Sequence, residues 1–208
     1  MEKKLHQIWV GDNPMPEREQ GLCKLMQDMH SSYEYRLWTD ETMKHEQLPS
    51  NVQLCYDQFY KERKFAFCAD LLRVWVIYTA GGFYFDVDFE MYKPMDDFLS
   101  YDGMLLHHEA VYEHGEMPNG VFGGKRGLEV LKYCLDNAEW WNGPSWFGTK
   151  IKKYLGLSNT STNESTISTL QEVNIISPCW EEWHGVYAHH HSLYSWSDNY
   201  VPVRKNVT

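Results

Sequence analysis

Gly81-Gly82-Phe83-Tyr84-Phe85-Asp86-Val87-Asp88 is the stretch from which the rest of the chain is best read. Phe83, Phe85, Val87, Phe89 and Met91 alternate with Tyr84, Asp86, Asp88, Glu90 and Tyr92. This alternation predicts a half-buried strand whose polar side carries acids, bounded by the glycine pair and by Pro94. Residues two apart on a strand face the same side, with α-carbons roughly 7 Å apart. Asp86 and Asp88 are therefore expected to share one hard divalent cation, Mn²⁺ or Mg²⁺, with phosphate oxygens and water filling the remaining positions. Taken alone, an Asp-x-Asp more often sits on an edge strand with solvated acids. The flanking segments decide between the two.

Residues 51–79 read as helix in two pieces, with a break near Lys61–Lys64. The second piece leads directly into the acidic strand. On it Asp70 and Arg73 stand three apart and share a face, while Phe65, Ala69, Leu72, Trp75 and Val76 cover the buried side. A surface ion pair of this kind is worth under about 1 kcal/mol. The apolar surroundings favour a partly buried pair instead, one able to grip hydroxyls and a phosphate.

Outward from this centre, strands are expected at residues 5–10, 33–38, 103–107, 120–124 and 173–176, and helices at 16–29, 127–141 and 146–155. Strands and helices alternate through the first half. That predicts an α/β fold with a mostly parallel central sheet and helices on both faces. Ligands in such sheets bind at the carboxyl ends of the strands, where both Gly11 and the Asp86/Asp88 pair fall. The chain has 208 residues, and one domain over 1–208 is expected.

The net charge of −10 argues against non-specific nucleic-acid binding and against an electrostatic hold on anionic lipid. An anionic cosubstrate would need local help from a cation. No stretch is long and apolar enough for a membrane span. The N-terminal residues lack the apolar core of a signal peptide, and the expected location is cytoplasmic. The five cysteines (Cys23, Cys55, Cys68, Cys134 and Cys179) contain no Cys-x-x-Cys pair and are expected to be reduced. Asn159, Asn163 and Asn206 begin Asn-x-Ser/Thr sequences and read as chance matches.

Two more constellations bear on chemistry. Trp9 ends the first strand beside Gly11 and is either a core residue or a flat surface for a nucleobase. The run His189-His190-His191 precedes Ser195 and Trp196. Successive strand residues diverge, so one or two of these imidazoles, not three, can ligate an ion.

Together the motifs resemble a known family. Ala69-Asp70-x-x-Arg73, then Tyr78-x-x-Gly81-Gly82-x-Tyr84-x-Asp86-x-Asp88, is similar to the DxD glycosyltransferases of family 32, which have the GT-A fold. His6-Gln7-Ile8-Trp9-Val10-Gly11 resembles the same family's first strand, Lys93-Pro94-Met95 falls where the family often has Lys-Pro-Leu, and His190-His191 with Ser195-Trp196 resembles its closing segment. The compact viral enzymes that glycosylate capsid proteins are a plausible relative.

The resemblance implies a role for each residue. Asp86 would hold the ribose and help orient the metal, and Asp88 would ligate it. His190, with His191 second, would supply the ligand from the tail. Asp70 and Arg73 would contact the donor sugar, with Arg73 near the diphosphate. Trp9 would stack on the base, flanked by backbone contacts from Ile8 and Val10. Ser195 and Trp196 would reach the β-phosphate.

It further implies transfer from a UDP-sugar to a glycan or protein-linked acceptor, with retention of configuration, by a monomer or by one domain of a longer chain. Residues 1–100 would form the nucleotide and metal half. Residues 101–208 would form the acceptor side and the closing segment. His108 and Glu109 are candidates for a base, and Glu181, Glu182 and His184 for acceptor contacts. Gly143-Pro144 would border the donor sugar. A carbohydrate-binding module with structural Ca²⁺, or a metal-dependent phosphohydrolase or nucleotidyltransferase, would use the same acids. The module would leave Asp70, Arg73 and Trp9 unexplained, and two-metal hydrolases usually gather more carboxylates.

Overall fold

The computed structural model describes residues 1–106, 117–139, 146–157, 175–176 and 185–191. Its elements are β1 (Lys4–Ile8), α1 (Glu17–Met29), β2 (Glu34–Trp38), α2 (Asp40–Met43), α3 (Ser50–Lys61), α4 (Phe65–Ala80), β3 (Gly82–Phe85), β4 (Phe89–Met91), a 3₁₀ turn (Met95–Phe98), β5 (Met104–Leu106), β6 (Val121–Gly124), α5 (Glu129–Asp136), α6 (Trp146–Tyr154), β7 (Ile175–Ile176) and β8 (Ala188–His190). The central sheet runs β2-β1-β3-β6-β5-β7. β1 pairs in parallel with β2 and β3, and β5 with β7. β6 alone runs antiparallel to both of its neighbours. The sheet is thus mostly parallel, as expected, with one reversed strand.

Each face of the sheet has its own apolar core. Ile8, Tyr84, Leu106 and Phe122 pack with residues of α3, α4, α5 and α6 on one side. Leu5, Phe83, Phe85 and Val121 pack with Met26 of α1 and with Phe89, Met91 and Ala188 on the other. Helices therefore cover both faces.

Helix α4 is the pillar of the first side. Its sequence is apolar over nearly its whole circumference, and Cys68 and Asp70 to Ile77 are all buried. A helix apolar all round belongs in a core. It ends at Gly81, whose φ of +69° closes the last turn through an N–H bond to the Ile77 carbonyl, 2.9 Å. Gly82 follows at φ +96°, and a Cβ there would meet the Lys4 carbonyl oxygen at 2.6 Å. The glycine pair is what lets a buried helix turn straight into a central strand. His6 secures the turn: its Nε2 bonds the Gly81 carbonyl at 3.0 Å, and its Nδ1 accepts from Trp38 Nε1 at 3.2 Å.

The single acidic strand expected over Phe83–Met91 is two strands in two sheets. The Asp86 N–H bonds the Gly120 carbonyl at 2.8 Å, and its own carbonyl accepts from the Phe89 N–H at 3.3 Å. The chain turns through Val87 and Asp88 and re-enters extended structure as β4, which pairs with β8. The apolar alternation survives because Phe83, Phe85, Phe89 and Met91 all reach the same core.

Cys23, Cys55, Cys68 and Cys134 are buried free thiols. Among the described residues, no helix is long and apolar enough to cross a membrane.

Candidate active site

The turn between β3 and β4 brings Asp86 and Asp88 to the end of the central sheet, and β8 brings His190 to meet them. One ligand atom from each of Asp86, Asp88 and His190 lies within 4.8 Å of the others. His190 Nε2 is 3.1 Å from Asp88 Oδ1. The imidazole is stacked on Phe89, with centroids 4.4 Å apart and planes 5° from parallel. Burial alone would lower the His190 pKa, but the hydrogen bond and charge of Asp88 outweigh it and hold the group above its ordinary value. Two carboxylates and one imidazole at this spacing suit a hard divalent cation that keeps open positions for phosphate and water. His191, the second candidate ligand, lies outside this group: its ring nitrogens meet Glu90 Oε2 at 3.0 Å and Arg18 Nη2 at 3.1 Å.

Behind the acids stands a buried polar network. Asp70 and Arg73 are each 6% exposed, so they are not the surface ion pair that their spacing also allowed. Arg73 Nη2 lies 3.4 Å from Asp70 Oδ1 and 3.1 Å from Asp86 Oδ1. Its Nη1 donates to both the carbonyl and the side-chain oxygen of Asn119, each at 3.0 Å. Asn119 Nδ2 in turn donates to Asp70 Oδ1 at 2.8 Å. Tyr84 lies beneath the guanidinium and donates its hydroxyl to Asp86 Oδ1 at 2.5 Å. Burial raises the pKa of both Asp70 and Asp86, and Arg73 opposes that rise in each; the neighbouring Asp88 charge pushes Asp86 further up.

Two carboxylate oxygens of this network stand apart from its hydrogen bonds. Asp70 Oδ2 is buried and, among the described residues, has no hydrogen-bond partner. A buried carboxylate oxygen left this way is costly unless a donor reaches it. Asp86 Oδ2 lies beside Gly120, where a Cβ would come within 2.9 Å of it. Asp86 is held from below as well: Gln7 Nε2 donates to its carbonyl at 3.2 Å, and Tyr35 donates to Gln7 Oε1 at 2.9 Å.

Trp9 is half-buried and stands outside both cores. Its indole N–H donates to the Asn13 carbonyl at 2.8 Å, and its backbone N–H to the Trp38 carbonyl at 2.8 Å. Ile8 and Val10, on either side, are buried in the core. Gly11, at φ +112°, donates its N–H to Asp40 Oδ2 at 2.8 Å. His108, Glu109, Gly143, Pro144, Glu181, Glu182, His184, Ser195 and Trp196 lie outside the described residues.

Asn119, Tyr84 and Gln7 were not among the expected site residues. Tyr84 was within reach, because the alternation already set it on the face of Asp86. Pro118-Asn119-Gly120 reads only as a turn, and nothing local marks Asn119 as the partner of two residues on α4.

Residues 16–105 match the family model described as the glycosyltransferase sugar-binding region containing a DXD motif. Inositol phosphoceramide mannosyltransferase 3 of Schizosaccharomyces pombe is 34% identical over 135 residues, covering 65% of this chain and 36% of that protein. Mannosyl phosphorylinositol ceramide synthase SUR1 of Saccharomyces cerevisiae is 28% identical over 139 residues, covering 67% and 36%. The chain thus spans little more than a third of the length of the curated relatives it matches.

Among solved structures, the PaToxG glycosyltransferase superposes with a TM-score of 0.62 at 16% identity, over 83% of this chain and 85% of that one. A structure described as a transferase superposes with a TM-score of 0.53 at 9% identity, over 80% or more of each chain. At these identities the likeness concerns the fold, which is of the GT-A type. Asp86-Val87-Asp88 is the one Asp-x-Asp within residues 16–105, the region that matches the DXD-motif family model.

Proposed function

We propose that this chain transfers a sugar from a nucleoside-diphosphate sugar to a hydroxyl acceptor, in a reaction that depends on a divalent metal. The observation that carries the reading is the pairing of the Asp86–Asp88–His190 group with the buried Asp70–Arg73–Asn119 network on its inner side. A metal site alone would serve many chemistries. A metal site backed by a fixed guanidinium and an unpartnered carboxylate oxygen suits a diphosphate joined to a polyol.

Each residue then has a task. Asp88 and His190 would hold the cation, with Asp86 orienting it and facing the ribose. Arg73 offers positive charge toward the diphosphate and opposes the rise that burial gives the Asp86 pKa. Asp70 Oδ2 accepts a hydroxyl of the donor sugar. Trp9 gives a flat face for the base, and the neighbouring backbone of Ile8 and Val10 fixes its edge. Mn²⁺ or Mg²⁺, when bound, offsets the charge that develops on the nucleoside diphosphate as it leaves. Retention of configuration follows from the family resemblance.

UDP is the nucleotide to test first. The mannosyltransferase names of the relatives make a mannosyl donor, and with it GDP, the second arm. The test is release of nucleoside diphosphate from UDP- and GDP-sugars, with Mn²⁺ and with EDTA, and with and without a hydroxyl acceptor. Metal-dependent release that rises with acceptor supports the proposal. Release that stays equal with and without acceptor would make the protein a hydrolase instead.

A further inference from the structure

The tail strand places two imidazoles side by side and treats them differently. His190 faces Asp88 and stacks on Phe89. His191 turns away, with Nε2 at 3.0 Å from Glu90 Oε2 and Nδ1 at 3.1 Å from Arg18 Nη2. A guanidinium only donates, so Nδ1 must accept. The ring proton therefore sits on Nε2 and is donated to Glu90. Both ring nitrogens are engaged, and the backbone N–H of His191 donates to the Asp88 carbonyl at 3.1 Å.

We infer that Arg18, His191 and Glu90 form a positioning clamp that keeps His190 against Asp88. The inference rests on the reading of Asp86, Asp88 and His190 as a metal centre. β8 contributes only three residues to a two-stranded sheet, paired Phe89 to His190, Glu90 to His189 and Met91 to Ala188. Two-stranded pairings are marginal by themselves. His190 occupies the last paired position, where fraying would first remove a ligand. His191 follows it, and its ring ties that end both to β4 through Glu90 and to α1 through Arg18. Helix α1 begins where the loop after Trp9 ends, so one helix borders the base-stacking side and anchors the metal side. The bonds that join Arg18, His191 and Glu90 run among these three side chains, outside the Asp86–Asp88–His190 group. The three are positioning residues.

Glutamine separates a clamp from a ligand. Its amide offers one acceptor and one donor, as the His191 ring does, so it can serve Arg18 and Glu90 together. It is a poor substitute for an imidazole on a metal. The experiment is Mn²⁺ binding to the purified chain, read from the spin-resonance signal of free Mn²⁺, with thermal unfolding recorded for every variant. His191→Leu is expected to weaken Mn²⁺ binding about 10- to 100-fold, the range for outer-shell partners, while His191→Gln stays within about threefold of the parent.

Equal losses in the two variants would make His191 a ligand and overturn the clamp. Full affinity in a folded His191→Leu would overturn it as well. If His191→Leu does not fold, Arg18→Met is the deciding variant, since Arg18 is exposed on α1. A weaker Mn²⁺ affinity supports the clamp and an unchanged one overturns it. Failure of the parent chain to bind Mn²⁺ would overturn the metal-centre reading itself, and the clamp with it.

Discussion

Arg73 Nη2 stands 3.1 Å from Asp86 Oδ1, which joins the buried helix α4 to the acidic turn that follows it. The two residues are 13 positions apart, and the helix, the glycine pair and a four-residue strand fill the interval. One guanidinium thereby serves Asp70 on its own helix, Asp86 on the turn and Asn119 before β6. The counter-charge of the site acids and the packing of the core depend on the same side chain.

Arg73→Met should therefore cost stability as well as activity. It would leave Asp70 buried and Asp86 partly buried without their counter-charge. Removing one partner of a buried pair typically costs about 3–5 kcal/mol. Urea unfolding of the variant against the parent checks this. A loss near zero would mean that solvent or the neighbouring amides already compensate the acids.

Gly120→Ala should harm the site and largely spare the fold. The added methyl would stand 2.9 Å from Asp86 Oδ2 and 3.6 Å from Phe89 Cε2. Asp86 must shift, and a displacement approaching 1 Å at a reacting centre can cost on the order of 100-fold in rate. Steady-state kinetics with a thermal melt separate the two effects. An unchanged kcat/KM would remove Asp86 Oδ2 from the chemistry.

Trp9→Ala should weaken nucleotide binding by about 1–3 kcal/mol, the order for stacking a base on an aromatic ring. Because Trp9 is half-buried and outside the core clusters, its melting temperature should move little. The reverse pattern, a large drop in melting temperature with unchanged nucleotide affinity, would make Trp9 a packing residue.

Stability should fall in mild acid because of His6. Burial lowers its pKa from 6.5 to about 4, partly opposed by the bond to the Gly81 carbonyl. The unfolded chain then binds the extra proton first as pH falls. The stabilisation is complete above about pH 6.5 and is lost progressively down to about pH 4, a change of about 3 kcal/mol. Urea unfolding at pH 7 and pH 5, with His6→Gln as reference, isolates the term. A slope unaffected by that substitution would assign the pH dependence to other groups.

Much of the fold was legible because its signals are local. The α3–α4 break shows as four charged residues, Lys61 to Lys64, between apolar runs, and Arg63 there has φ +58°. Asp70 and Arg73 were found by helical spacing, and Asp86 and Asp88 by their place after a glycine pair. What was missed depends on distant partners. The strand leaves the central sheet after Asp86, whose N–H still pairs with Gly120, 34 residues on, while Phe89 takes up pairing with His190 in a second sheet. β6 is reversed and inserted between β3 and β5, a pairing helped by Gly123, where a side chain would meet Phe83. Helix α2 is a single turn closed by the Thr39–Thr42 capping box, too short for any periodicity to show. Asn119 looks like a turn residue until α4 is packed against it.

The Asp86–Asp88–His190 group is expected to bind a nucleoside diphosphate through a divalent metal. Calorimetric titration of the chain with UDP and GDP, in Mn²⁺ and then in EDTA, with Asp88→Asn alongside, tests it most directly. Binding of one nucleotide in Mn²⁺, its loss in EDTA, and its loss in a folded Asp88→Asn are expected. Equal affinity in Mn²⁺ and EDTA, or unchanged Mn²⁺-dependent affinity in Asp88→Asn, would contradict it.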